Sequence, residues 1–91
     1  MNLARRRLKI VNIKGLHARA SARLAEVCER HNATATISKD GQSSAGDSIM
    51  GLLMLAASNG SFIEVETTGA EADKLADAIT SLVADRFGEG N

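Results

Sequence analysis

Two one-sided apolar stripes at helical spacing limit what this chain can become. Ser21, Leu24, Ala25 and Cys28 fall at i, i+3, i+4 and i+7 within residues 18–30, and Ala72, Leu75, Ala76, Ile79, Leu82 and Val83 form a second stripe opposed by Asp73, Lys74, Asp77 and Asp85. Each predicts a helix that covers something with one face and shows the other to water. Runs with a period of two lie around them. Leu8 and Ile10 alternate with Lys9 in residues 8–13, and Ile63 and Val65 alternate with Glu64 and Glu66 in residues 62–67, as in strands with one buried face. Residues 33–38 and 42–45 flank Lys39-Asp40-Gly41, and Asp-Gly between two strand-like runs predicts a hairpin.

A third helix is expected over residues 48–57, with Ser48 as its N-cap. It is apolar almost all round, and a small domain has room for one buried stripe, so one side is left for a partner. Leu52, Leu55 and Ala56 are assigned inward, leaving Ile49, Met50 and Leu53 as the candidate exposed patch. Asn32, following His31, is expected to end the first helix in a left-handed conformation, and Thr68 with Glu71 to form a capping box for the last. Residues 1–7 and 88–91 are expected to fray. The order β-α-β-β-α-β-α predicts one α+β domain over residues 1–91. Its four-stranded, mainly antiparallel sheet carries three helices on one face, with Lys9, Thr34, Thr36, Glu64 and Glu66 on the open one.

A chain of 91 residues buries roughly 60–65% of its unfolded surface, enough for one modest core. Eleven Lys and Arg balance eleven Asp and Glu, which argues against nucleic acid or an acidic membrane as a partner held by a large positive field. The cluster Arg5, Arg6, Arg7 and Lys9 reads as a solvated terminus. With two Phe and neither Trp nor Tyr, there is no stacking platform for bases. Cys28 is the only cysteine, so no intrachain disulfide forms and a reducing, cytoplasmic setting fits. The charged N-terminus lacks the apolar core of a secretory signal, and no apolar run approaches the ~18–20 residues of a membrane span. Cys28 and His31 fall short of the three or four ligands zinc requires. No metal or cofactor is expected.

Chemistry points to residues 15–21, Gly-Leu-His-Ala-Arg-Ala-Ser, at a strand-to-helix junction. A helix N-terminus carries unpaired N–H groups and the positive end of the macrodipole, so His17 faces a ready-made anion site. Arg19, two residues on, offers several donors to phosphate oxygens. Imidazole is a competent nucleophile near neutral pH and forms a labile P–N bond. The same pattern also suits a plain helix start with a partly solvated histidine. There is no P-loop, Gly-rich nucleotide fingerprint or metal cluster, so a second catalytic group is not in view.

Two separated motifs, Gly-Leu-His-Ala-Arg at 15–19 and Ser-Ile-Met-Gly at 48–51 before an apolar helix, resemble those of the HPr phosphocarrier proteins of the bacterial phosphoenolpyruvate-dependent phosphotransferase system. The likeness runs from about residue 8 to 87. It implies an open-faced β-sandwich and a monomeric carrier, not an enzyme. The resemblance further implies that His17 is phosphorylated on Nδ1 by the phosphohistidine of an enzyme I and passes the group to a histidine of an enzyme IIA, with Arg19 assisting. Ala20, Ala22, Arg23, Ile49, Met50, Gly51 and Leu53 make the partner surface. In some branches the serine matching Ser48 is the target of an ATP-dependent HPr kinase/phosphorylase, and the alternative reading is a regulatory module acting mainly through phospho-Ser48. The family generally has proline after the arginine, where this chain has Ala20. Glu26 and Glu29 make the first helix more acidic than in some members, which bears on the identity of the partners and leans toward a regulatory phosphotransferase branch over sugar uptake.

Overall fold

The computed structural model describes residues 2–91. The elements follow in the predicted order: β1 (Leu3–Lys9), α1 (Ala18–Glu29), β2 (Thr34–Lys39), β3 (Gln42–Ala45), α2 (Ile49–Met54), β4 (Phe62–Thr68) and α3 (Ala72–Ala84), with a closing 3₁₀ turn at Arg86–Gly88. The strands form one antiparallel sheet in the order β1-β4-β2-β3, so β4, late in sequence, lies between β1 and β2. The inward rows of the strands supply Ile37, Ile63 and Val65, which pack with Leu24 and Cys28 of α1, Leu52 of α2, and Leu75 and Ile79 of α3. On the opposite face Lys9, Thr34, Thr36 and Glu64 are exposed and Glu66 is half-buried.

The first strand corrects the sequence reading. It occupies Leu3–Lys9, not residues 8–13, so residues 3–7 are paired and not frayed, while Met1 lies outside the described residues. The inward row runs Ala4, Arg6, Leu8, Ile10, with Ala4 and Ile10 buried. Arg6 interrupts its apolar character. Its stem lies along the half-buried edge, and Nη2 reaches Asp77 Oδ1 of α3 at 3.2 Å, the usual way a long cation covers apolar surface. The outward arginines stand directly across from acids. Arg5 opposes Glu66 and Arg7 opposes Glu64 in the register, with N–O distances of 2.8 and 3.4 Å. Such exposed pairs stabilise by about 0–1 kcal/mol each, but they neutralise the basic cluster in place.

Three terminus assignments also change. Thr68 is the last residue of β4, and α3 is entered through Glu71, which makes no side-chain cap. Glu71 Oε1 instead accepts the Asn32 N–H at 2.7 Å, tying the entry of β2 to α3. Asn32 is not left-handed. The first helix closes at Arg30, whose N–H turns back to the carbonyls of Glu26 and Val27 at 3.2 and 3.3 Å. Ser48 does cap α2, but the helix stops at Met54. Ala56 takes φ +52° and is exposed, while Leu52, Leu55 and Ala57 are buried.

Cys28 is 6% exposed, beside Gly46 and Ala35. Burial above all, with the negative charges of Asp47 and Glu29, pushes its thiol up to about 11. The folded state therefore holds this proton where the unfolded chain releases it, and stability falls as pH rises from the ordinary thiol range toward that value. Because the thiolate is the nucleophile, iodoacetamide near neutral pH is expected to label the folded protein at least about tenfold more slowly than the urea-unfolded one. Equal rates would show that Cys28 is not shielded.

Candidate functional site

Beyond β1 the chain stays on the sheet for one more residue: Ile10 exchanges hydrogen bonds with Ser61 and Gly60, at 2.8 and 2.7 Å. It then turns through a loop held from inside. The buried Asn12 side chain donates to Gly15 O at 2.8 Å, and Gly15 N–H returns to Asn12 O at 3.2 Å. Gly15 sits at φ +67°, and a Cβ there would lie 2.5 Å from Ala57 O. Only glycine fits so close to another backbone in this conformation. Leu16 N–H donates to the same Ala57 carbonyl at 2.8 Å, and the buried Ser21 hydroxyl donates to Leu16 O at 3.2 Å.

This loop delivers His17 as the N-cap of α1, with φ −79° and ψ −175° and no side-chain capping bond. The first helical bond runs from Ser21 N–H to His17 O at 2.8 Å. The amides of Ala18, Arg19 and Ala20 precede it and point out of the helix end, where an anion can take them. The imidazole is 25% exposed and Arg19 is exposed, so both can meet a docked partner. Ala20 is a correction. Its side chain is fully buried and belongs to the core, because the third helical position faces the sheet. Its N–H, which proline would remove, remains at the helix start.

Lys14, Arg19, Glu89 and Asn91 line a small cleft beside the histidine. Residues 88–91, expected to fray, are built into it. Arg86, Phe87 and Gly88 all take positive φ, at 55°, 54° and 76°, which bends the chain into a hook. Phe87 is fully buried as its anchor. Arg23 Nη1 donates to Phe87 O, and Ile13 N–H to Asn91 O at 3.3 Å. Glu89 then faces the loop: Oε1 accepts from Asn12 Nδ2 at 2.9 Å and Oε2 contacts His17 Nε2. Burial raises the Glu89 carboxyl, but hydrogen bonds from Asn12 and His17 and the charges of His17 and Arg19 outweigh it and hold the group below the ordinary carboxylate value. Asn12, Lys14 and Glu89 were missed in the sequence, where nothing links residue 89 to residue 17; only the positive-φ-tolerant Gly88 hinted at a turn.

The second motif lies alongside. Helices α1 and α2 pack together, and the Ala57 carbonyl just past α2 holds the loop before His17. On α2, Ile49 and Met50 are 41% and 72% exposed and Leu53 is half-buried. Met54, 75% exposed, joins this surface; its i+4 spacing from Met50 was the available signal. Ala22 and Arg23 are exposed on α1, although one Arg23 donor is spent on the hook. Gly51 is half-buried, and a Cβ there would meet Ser44 Oγ at 2.2 Å, so its absence lets α2 sit on β3. Ser48 Oγ accepts the Gly51 N–H at 3.1 Å. His31 is remote from this site, its Nδ1 lying 2.8 Å from Val27 O. The broader depressions also lie elsewhere, one of them lined by Arg5, Thr36, Ser38, Glu64 and Glu66 on the open sheet face. A group presented on a surface needs no enclosing cavity.

A family model described as the PTS HPr component phosphorylation site matches residues 4–85. The chain belongs to the HPr family. It is 43% identical over 81 residues to the phosphocarrier protein HPr of Cupriavidus necator, covering 89% of this chain and 91% of that one. It is 36% identical to the phosphocarrier protein NPr of Shewanella violacea over the whole of both chains. Among solved structures, HPr-C-His from Thermoanaerobacter tengcongensis superposes with TM-score 0.90 at 27% identity, covering 94% of this chain and 97% of that one. The HPr of Bacillus anthracis gives 0.86 at 31%, covering 91% and 99%. The HPr family consists of phosphocarriers of the phosphotransferase system, and the open-faced sheet with three helices is its fold. No helix among the described residues is long and apolar enough to cross a membrane.

Proposed function

We propose that His17 is the phosphoryl acceptor of this HPr-family carrier, taking the group from the phosphohistidine of an enzyme I and passing it to a histidine of an enzyme IIA. The observation that carries this reading is the half-buried imidazole at the N-cap of α1, ahead of three outward amides and beside Arg19. Those donors suit a dianionic phosphoryl group. Arg19 supplies a charge-assisted contact to its oxygens, while the enzymes at either end supply the transition-state electrostatics. Ala22, Arg23, Ile49, Met50, Gly51 and Leu53, extended by Met54, form the docking surface, with an apolar centre and a charged rim as transient interfaces have. The protein works as a monomer in the cytoplasm. Incubation with enzyme I and phosphoenolpyruvate is expected to add one phosphoryl group in an acid-labile, base-stable linkage; absence of label with an authenticated cognate enzyme I rejects the reading.

Ser48 is a second, regulatory acceptor in this proposal, served by an HPr kinase/phosphorylase. Its hydroxyl is engaged only as a helix cap, and a phosphate of about −1.5 to −2 charges at the start of α2 is compatible with the local dipole while changing the charge of the docking surface. Ser48→Ala is expected to cost about 1 kcal/mol through the lost cap and to abolish ATP-dependent phosphate incorporation by the cognate kinase. An unchanged mass for the wild type, or incorporation into Ser48→Ala, removes Ser48 from the scheme. A module working through phospho-Ser48 alone leaves the His17 and Arg19 arrangement without a use.

A further inference from the structure

We propose that Glu89, presented by the C-terminal hook, is a positioning residue for His17: it accepts the Nε2 hydrogen bond and thereby keeps the Nδ1 lone pair free for phosphorus. The inference rests on the carrier reading above and adds a group that neither sequence motif contains.

An ionised carboxylate only accepts, so the imidazole nitrogen in contact with Glu89 Oε2 must carry the proton. In the neutral ring that leaves Nδ1 unprotonated, since the hydrogen bond at one nitrogen sets the state of the other. The carboxylate is itself held in place. Asn12 Nδ2 lies 2.8 Å from Gly15 O and 2.9 Å from Glu89 Oε1, both acceptors, which fixes the orientation of the Asn12 amide. Its Oδ1 is buried without a partner among the described residues, so this orientation is kept although it orphans an oxygen. The Glu89 side chain is only 8% exposed, and the buried Phe87 ring anchors the turn that carries it. Its depressed titration keeps it ionised at neutral pH.

During transfer, Nδ1 supplies the electron pair of the new P–N bond, and the donor nitrogen of enzyme I keeps the pair of the bond that breaks. No proton has to leave. The ring retains its Nε2–H and gains positive charge, which the Glu89 carboxylate faces. On onward transfer the same pair returns to Nδ1, and the ring leaves as the neutral tautomer that began the cycle.

Glu89→Gln tests this, because an amide that accepts from Asn12 with its oxygen turns its NH₂ toward His17 and makes Nε2 the acceptor. The long-range ¹H–¹⁵N pattern of the His17 ring, recorded in mildly alkaline solution, is expected to show Nε2–H in the wild type and a growing Nδ1–H form in Glu89→Gln. The rate of phosphorylation by enzyme I should fall roughly tenfold, the lower end of the loss when the hydrogen-bond partner that orients a metal-bound imidazole is removed. Glu89→Asp, which restores an acceptor one methylene short, should recover the tautomer and part of the rate. A ring pattern or a transfer rate unchanged in Glu89→Gln overturns the proposal. The nuclear resonance readout needs no phosphoryl donor, so it stands even if the wild type is never labelled, the outcome that instead defeats the carrier reading.

Discussion

His17→Ala is expected to accept no phosphoryl group from enzyme I, with no residual label above background, while staying folded at a loss of no more than about 1–3 kcal/mol, the cost of leaving the Glu89 carboxylate to Asn12 alone. The two halves of this expectation have separate grounds. The ring makes no capping bond to the helix it precedes, so removing it takes nothing from α1 except a contact with Glu89. The backbone of residue 17, which receives the first helical bond from Ser21, is unchanged in alanine. The other candidate acceptors are poorly placed for enzyme I: Ser21 is fully buried with its hydroxyl committed to Leu16 O, His31 stands at the far end of α1, and the Ser48 hydroxyl caps α2 and is the proposed target of an ATP-dependent kinase. Arg19→Ala is the informative partner variant. It leaves the nucleophile and the amides in place and removes one charge-assisted contact, worth roughly 1.5–3 kcal/mol, or about 10- to 150-fold in rate. Label retained in His17→Ala would transfer the acceptor role elsewhere on the molecule.

How much of this was legible beforehand depends on whether the deciding contacts are local. Strand β4 and helices α1 and α3 announce themselves because their apolar residues follow the period of the element, and β2 and β3 through the Asp40-Gly41 turn that joins them. Strand β1 was displaced because Arg6 occupies an inward position and finds its acid, Asp77, on α3, 71 residues away. The capping box at Thr68 failed for a related reason. Strand pairing from Leu3 to Thr68 claims that residue for the sheet, and Glu71 finds a better use for its carboxylate on Asn32. The histidine, the arginine and the capping serine were readable, since each acts through its own helix start. Asn12 and Glu89 were not: their pairing spans 77 residues and exists only because Phe87 is buried and the chain bends back after it. Ala20 reads as surface from the motif alone, because the motif fixes its place in the chain but not which way the third helical residue points.

The tightest constraint on the site is the backbone crossing at Gly15, and Gly15→Ala is expected to be the most destabilising single-methyl change in the loop. Two penalties combine there. An alanine at φ +67° costs about 1–2 kcal/mol from local sterics. The added Cβ also lies 2.5 Å from Ala57 O and 2.9 Å from Ser58 Cα, and separating two backbones adds roughly 1–3 kcal/mol, as for other overpacked positions. Together they predict a loss of about 2–5 kcal/mol and a thermal midpoint lower by on the order of 10–30 °C. Gly60→Ala isolates the first penalty, because that residue has φ +87° with nothing within 4 Å of its would-be Cβ. The difference between the two variants therefore measures the close approach alone, and equal losses would show that residues 15 and 57 do not touch as described. The same displacement reaches function. Ala57 O receives Leu16 N–H, and Gly15 O receives both Asn12 Nδ2 and His17 N–H, so pushing the two loop backbones apart loosens the bonds that aim the helix start and orient Glu89. At temperatures where Gly15→Ala is still folded, it should accept phosphoryl groups more slowly than Gly60→Ala, because one backbone contact holds the fold and the histidine together.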